Sequence, residues 1–136
     1  MEGEKRNKVT SDDIAQVERV MEDQRRKRPI EFHWKCGFVG TYAEWNDFLN
    51  KHKEDIEWIT KTEVRFKDGQ RWSWFPEDAY YVWKVRANRC QMMIVPKRID
   101  YDFFWFELFP AVMTYCTEVE WYGESDEVNT IKENKQ

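Results

Sequence analysis

The chain predicts an α+β fold, a curved antiparallel sheet with about three helices packed mainly on one face, and three observations carry that expectation. Two segments open with a Thr that has an acid three residues later and then place apolar residues at helical spacing. Several short runs alternate with a period of two or are rich in β-branched and aromatic residues. Gly, Pro and Asp clusters separate these runs, as turns require. At 136 residues the chain suits a single core. That domain is expected over 10–123, with polar tails at 1–9 and 124–136 that hold too few large apolar groups to offset the entropy of ordering.

The first helix runs from Thr10 to Arg28. Thr10 and Asp13 have capping-box spacing, acids lie in the first turn, Arg25-Arg26-Lys27-Arg28 lie in the last, and Pro29 stops it. Its stripe of Ile14, Val17, Val20 and Met21 is narrow, which predicts loose docking. Ile30 to Cys36 alternates as a half-buried strand does, and Gly37 to Gly40 breaks it. Thr41-Tyr42-Ala43-Glu44 opens a second helix with Trp45, Phe48 and Leu49 on its apolar face, ending near Lys53. From Ile56 the chain turns extended. Thr62 to Phe66, Asp68-Gly69 and Arg71 to Phe75 together have the signature of a hairpin with a tight primed turn. Tyr80 to Val85 and Cys90 to Val95, joined through Ala87-Asn88-Arg89, predict a second hairpin. Asp100 or Asp102 can cap a third helix through Phe109, although Tyr101 to Phe109 also reads as a buried strand. Val112 to Tyr122 supplies a last strand.

A net charge of −4 gives no global attraction for duplex DNA, so any nucleic-acid contact must be local. The three cysteines, Cys36, Cys90 and Cys116, are odd in number and lack zinc-site spacing, which points to a reducing, cytoplasmic setting. The most apolar stretch, Phe103 to Cys116, is interrupted by Glu107 and Pro110 and is too short for a bilayer, so no membrane partner is expected. The Arg25 to Arg28 block reads either as a nuclear import or RNA contact or as a favourable charge on a helix C-terminus.

Eight tryptophans exceed what one core of this size needs. Each large apolar side chain left in water forfeits roughly 1.5–3 kcal/mol, so an exposed indole suggests a ligand that covers it. Trp72 and Trp74 stand two positions apart on one strand and share a face, which is either core or a binding slot. In a slot an indole stacks a nucleobase for about 1–3 kcal/mol, and Glu77 can accept hydrogen bonds from the base edge. Catalytic signals are sparse. His33 and His52 read as structural or solvated, Asp100 with Asp102 and Glu77 with Asp78 read as caps and turns, and no nucleophile elbow or phosphate loop is present. The expectation is a protein that is not an enzyme and that uses neither a cofactor nor a metal; a small enzyme with Asp100 or Asp102 in acid–base work is a third reading.

Several segments, in order, resemble the cap-binding translation initiation factor 4E family. Thr41-Tyr42-Ala43-Glu44-Trp45 with Phe48-Leu49-Asn50 is similar to that family's first helix, and Phe66-Lys67-Asp68-Gly69 to its Phe-Lys-Asp-Gly turn. Trp74 falls where the family stacks the cap, Trp83 resembles the Trp of the next strand, and Asp100, Asp102, Phe104, Trp105 and Glu107 follow its Asp-x-Asp-x-Phe-Trp-x-Glu helix. Pro29 and Trp34 stand where its first strand begins. The chain departs from the family at Phe75, which replaces an acid and leaves Glu77 as the substitute. The segment carrying the second stacking Trp and the C-terminal third have no counterpart. The hairpin expected around Val85-Arg86-Ala87 resembles the family's phosphate-binding hairpin but precedes the helix it should follow.

The resemblance implies a non-catalytic domain that stacks the base of an mRNA cap or similar nucleotide on Trp74, with Trp72, Glu77 and the basic residues Arg86 or Arg89 assisting. It also implies a groove for a helical protein partner, in which Tyr42, Phe106 and Glu107 fall, with Asn46 at the expected Trp position and Trp45 beside it. A protein-interaction module of another kind, an adaptor, inhibitor or immunity-type protein without nucleotide binding, is the alternative reading.

Overall fold

The helix starts where its capping box places it: in a computed structural model that describes residues 8–123, Thr10 accepts from the Asp13 N–H while Asp13 accepts from the Thr10 N–H, and α1 spans Ser11–Lys27. The expected tails lie outside the described residues except for Lys8 and Val9. Val9 is not tail at all, because it is buried and donates to the Ile99 carbonyl at 3.2 Å. Nor is α1 loosely docked. Its stripe is narrow, yet Val17 and Met21 are fully buried, Arg25 reaches the Thr117 carbonyl at 2.9 Å and Gln24 donates to the Met113 carbonyl.

Strand β1 is Lys35–Val39, shifted toward the glycines that were expected to end it. Gly37 sits inside the strand because a Cβ there would meet Met93 Sδ and Phe75 Cε2, each at 2.7 Å. Glycine in a strand interior can mark such close approach as well as a break. The second capping box, Thr41 with Glu44, opens α2 at Tyr42–Lys51, and a 3-10 turn at Lys53–Asp55 leads into β2, Ile56–Ile59. The expected hairpin forms from β3, Glu63–Phe66, and β4, Arg71–Phe75. Its loop is not the two-residue primed turn. The Gly69 N–H donates to Phe66, Gly69 takes φ +98°, and Phe66 bonds Gln70, which is a three-residue loop with glycine supplying the positive φ.

The second expected hairpin is absent. Val82–Asn88 is helix α3, closed by Arg89 in the left-handed conformation at φ 53°. The residues that look β-forming, Val82 and Val85, lie three apart and both bury, so a helical face serves the core better than a strand would. Strand β5 is Met92–Pro96. Asp100, not Asp102, caps the following helix by accepting from the Phe103 N–H at 2.9 Å. Phe103–Leu108 is a π-helix, with the Phe109 N–H reaching back to the Phe104 carbonyl, and α4, Phe109–Val112, continues it. Strand β6 is short, Glu118–Tyr122, because Val112 belongs to α4.

The fold is α+β, but the sheet is mixed and not antiparallel throughout. Its order is β2-β3-β4-β1-β5-β6, with β1 parallel to both β4 and β5, and β5 parallel to β6. Only β2, β3 and β4 form an antiparallel meander. Each parallel step is bridged by a segment containing a helix, α2, α3 or α4, as parallel strands require. Alternation along the strands separates two cores. Val39, Phe75, Met93, Val95 and Val119 face α1, α3, the π-helix and α4, whereas Cys36, Phe38, Val64, Phe66 and Trp72 face α2. With the π-helix and α4 continuous, three helices share one face and α2 alone covers the other. No helix of the described residues is long and apolar enough to cross a membrane.

Candidate functional site

Alternation along β3 and β4 aims Glu63, Arg71 and Ser73 at the same face of the sheet as α3. That helix does not extend over the whole hairpin. Between its flank and the strands a trough opens, about 260 Å³ at one end, where Trp83, Lys84, Asn88, Glu63, Ser73 and Trp74 contribute to the walls. Glu63, Ser73 and Asn88 continue into a smaller hollow of about 120 Å³, where Lys35 and Arg71 join them.

Trp83 is the exposed indole here, at 61% of its full accessibility, and the Lys84 ammonium lies 5.8 Å from its ring centroid. Helical spacing explains its position: Val82 and Val85 anchor α3 to the core, which turns residues 83, 84, 87 and 88 outward and toward the hairpin. The Arg71 guanidinium contacts Glu63 through Nη2 at 3.2 Å, while its Nε is buried without a hydrogen-bond partner among the described residues. Asn88 donates from Nδ2 to the Lys84 carbonyl at 2.8 Å. The trough thus combines a flat aromatic wall, a carboxylate, amide and hydroxyl groups, and basic side chains.

The residues read from sequence as base-binding do not assemble there. Trp72 is core, 4% exposed, with its Nε1 donating to Gln70 Oε1 at 2.8 Å. Trp74 is half-buried: its Nε1 donates to the Gly40 carbonyl at 2.8 Å and its ring lies 5.2 Å from that of Tyr42, which leaves only part of it at the trough. Glu77 is committed to Arg98, whose Nη1 lies 2.8 Å from Oε2. Arg86 is exposed on α3, on the flank away from Lys84 and Asn88, and Arg89 closes that helix with its guanidinium 5.1 Å from the Tyr115 ring centroid. A helix at 82–88 in place of the hairpin is what separates these arginines from Trp74.

The helical-partner groove is not assembled either. Trp45 is fully buried and donates from Nε1 to the Lys61 carbonyl at 3.2 Å. Tyr42 and Asn46 belong to α2 on one face of the sheet, whereas Phe106, 69% exposed, and Glu107 belong to the π-helix on the other.

A second constellation, missed in the sequence, gathers at the carboxyl ends of the parallel strands. Arg98, following β5, bonds both Glu77 after β4 and Glu44 of α2, and the Tyr122 hydroxyl donates to the Val39 carbonyl at 2.8 Å and approaches Glu44 at 3.1 Å. Partial burial pulls the Glu44 carboxyl upward, yet the Thr41 N–H, Arg98 and Tyr122 together hold it below the ordinary value. Burial, with Glu44 adding to it, pushes the Tyr122 phenol well above its ordinary value. No sequence signal marks Arg98, because its two partners, Glu44 and Glu77, come from distant segments.

The remaining titratable candidates have structural places. His33 sits 3.3 Å from the Thr117 hydroxyl, and His52 packs against the Phe48 and Phe66 rings. Cys36, Cys90 and Cys116 are buried free thiols, and burial pushes Cys90 and Cys116 each up to about 12. No group of metal-ligating side chains occurs among the described residues. No family model matches the chain, and no curated protein resembles it at a significant level.

Proposed function

We propose that this chain is a non-catalytic binding domain that holds a flat nucleobase in the trough beside α3, with the methylated guanine of an mRNA cap as the leading ligand. The observation that carries the reading is Trp83, an indole left largely in water at the mouth of a concavity. Leaving it there forfeits burial energy that a stacked base would recover, about 1–3 kcal/mol. Glu63, Ser73 and Asn88 stand where a base edge would be read, since carboxylate and amide groups accept from exposed amino groups. Lys84 and Lys35 supply local positive charge that the net balance of the chain lacks, Arg71 being paired with Glu63. The choice of cap over other nucleotides rests on the ordered likeness to the cap-binding family. It needs Trp83 to serve as the wall that Trp72 cannot provide.

Fluorescence titration tests this directly. Addition of 7-methylguanosine triphosphate should quench tryptophan emission saturably, Trp83→Ala should abolish the quench, and Trp58→Ala, which removes another exposed indole on β2, should preserve it. Absence of quenching at millimolar ligand discards the proposal. Equal quenching by guanosine triphosphate would keep base binding and discard the cap.

A further inference from the structure

Parallel strands are normally covered on both faces, because their crossover helices lie on both sides and their side chains are apolar all round. Strands β5 and β6 break that rule. On one face α1, the π-helix and α4 bury Met93, Val95 and Val119, but on the other α2 covers β1, β3 and β4 and leaves Met92, Ile94 and Tyr122 only half-buried. A concavity of about 580 Å³ results, floored by Phe38, Phe48, Ile94 and Tyr122 and bounded by α2 on one side and β6 on the other. The Phe38 and Tyr122 rings stack with their centroids 5.1 Å apart, so the floor is aromatic.

Its rim is acidic. Glu44, Asp47 and Glu120 line it, opposed by Lys51, which lies 3.5 Å from Asp47. Glu44 shares Arg98 with Glu77, but Glu120 stands beside Ile94 in the sheet register with no hydrogen bond or ion pair among the described residues. Each strand is five residues long, roughly 17 Å, a span that a helix of about 11 residues matches. Helix α2, ten residues, spans the neighbouring strands in the same way.

We propose that this face docks a basic amphipathic helix of a partner protein, laid beside α2 across β5 and β6. Apolar residues of the partner at helical spacing meet Ile94, Phe48 and Tyr122, and Lys or Arg on its flanks meet Glu120 and Asp47. The recognition is of the helix-in-groove kind, and the interaction is independent of the trough beside α3.

The test uses two synthetic 14-residue peptides of identical apolar spacing, one of Leu and Lys, the other of Leu and Glu, added to the full chain labelled with nitrogen-15. The Leu/Lys peptide should shift the backbone amides of Ile94, Glu120 and Tyr122 and leave those of α3 in place. In the doubly exchanged variant Asp47→Lys with Glu120→Lys, both exposed positions, affinity for the Leu/Lys peptide should fall at least tenfold and that for the Leu/Glu peptide should rise. Shifts confined to other surfaces, or a preference unaltered by the exchange, overturn the proposal. Concentration-dependent shifts of the same amides without peptide also overturn it, since a second copy of the chain would then be the occupant.

Discussion

Replacing Gly37 by Ala tests how tightly the centre of the sheet is built. The added Cβ would lie 2.7 Å from both Met93 Sδ and Phe75 Cε2, about 1 Å inside ordinary carbon contact. Met93 and Phe75 are 1% and 2% exposed, so neither can swing into solvent to make room. The thioether is adaptable, but the ring is held by the helices above it, and the strand has partners on both sides, β4 and β5. Overpacking of this kind costs about 1–3 kcal/mol, and we expect about 2, offset only slightly by the better strand propensity of Ala. In a chain of this size that lowers Tm by roughly 6–10 °C. Urea denaturation gives the free energy, and Met93→Val supplies the decisive control. Shortening that side chain removes one of the two clashing atoms, so the double variant should be more stable than the sum of the single effects predicts by at least 0.5 kcal/mol, as neighbours that share a contact require. Strict additivity, or a Gly37→Ala variant as stable as the parent, would refute the packing argument.

Further expectations concern the charged cluster and the thiols. The folded Glu44 carboxyl lies below its unfolded value, so its stabilisation is complete above the unfolded range near pH 4.5 and is lost as pH falls through the lower folded value. Urea midpoints measured from pH 6 down to pH 3 should therefore fall more steeply for the parent than for Glu44→Gln, and parallel curves would remove Glu44 from the account. Arg98→Met leaves Glu44 and Glu77 facing each other without their shared cation. It should destabilise by about 1–2 kcal/mol at pH 7, a figure kept small because the side chains are 21% to 35% exposed, and lowering the pH to 4 should narrow the gap. With burial raising their pKa values, the cysteines should resist Ellman's reagent at pH 8 in the folded protein, and all three should react in 6 M guanidinium chloride. Rapid modification under native conditions would contradict the burial.

What was legible beforehand was local. Both long helices begin at their capping boxes, because Thr10 with Asp13 and Thr41 with Glu44 satisfy orphan N–H groups within four residues. The β3–β4 hairpin was visible for the same reason: Asp68 and Gly69 meet the turn's own backbone demands, the Gln70 N–H bonding Asp68 Oδ1 at 2.9 Å. The excess of tryptophan foretold that some indoles would stay outside, and Trp34, Trp58 and Trp83 do. Which indoles these are could not be read, since burial depends on what crosses over each face.

By itself, then, the sequence determined the α+β composition, the starts of α1 and α2 and one hairpin, all set by contacts between residues close along the chain. Tertiary structure alone decided that β1 runs parallel to its neighbours, that Val82–Asn88 coils instead of extending, and that Gly37 is a packing site and not a break. It also decided the site: Trp72 went to the core and Trp83 to the trough, while Arg98 joined Glu44 and Glu77 from segments 54 and 21 residues away. The physical reason is common to all of these. A short apolar run satisfies a helix or a strand equally well until the opposing surface exists, and that surface is supplied by residues far along the chain.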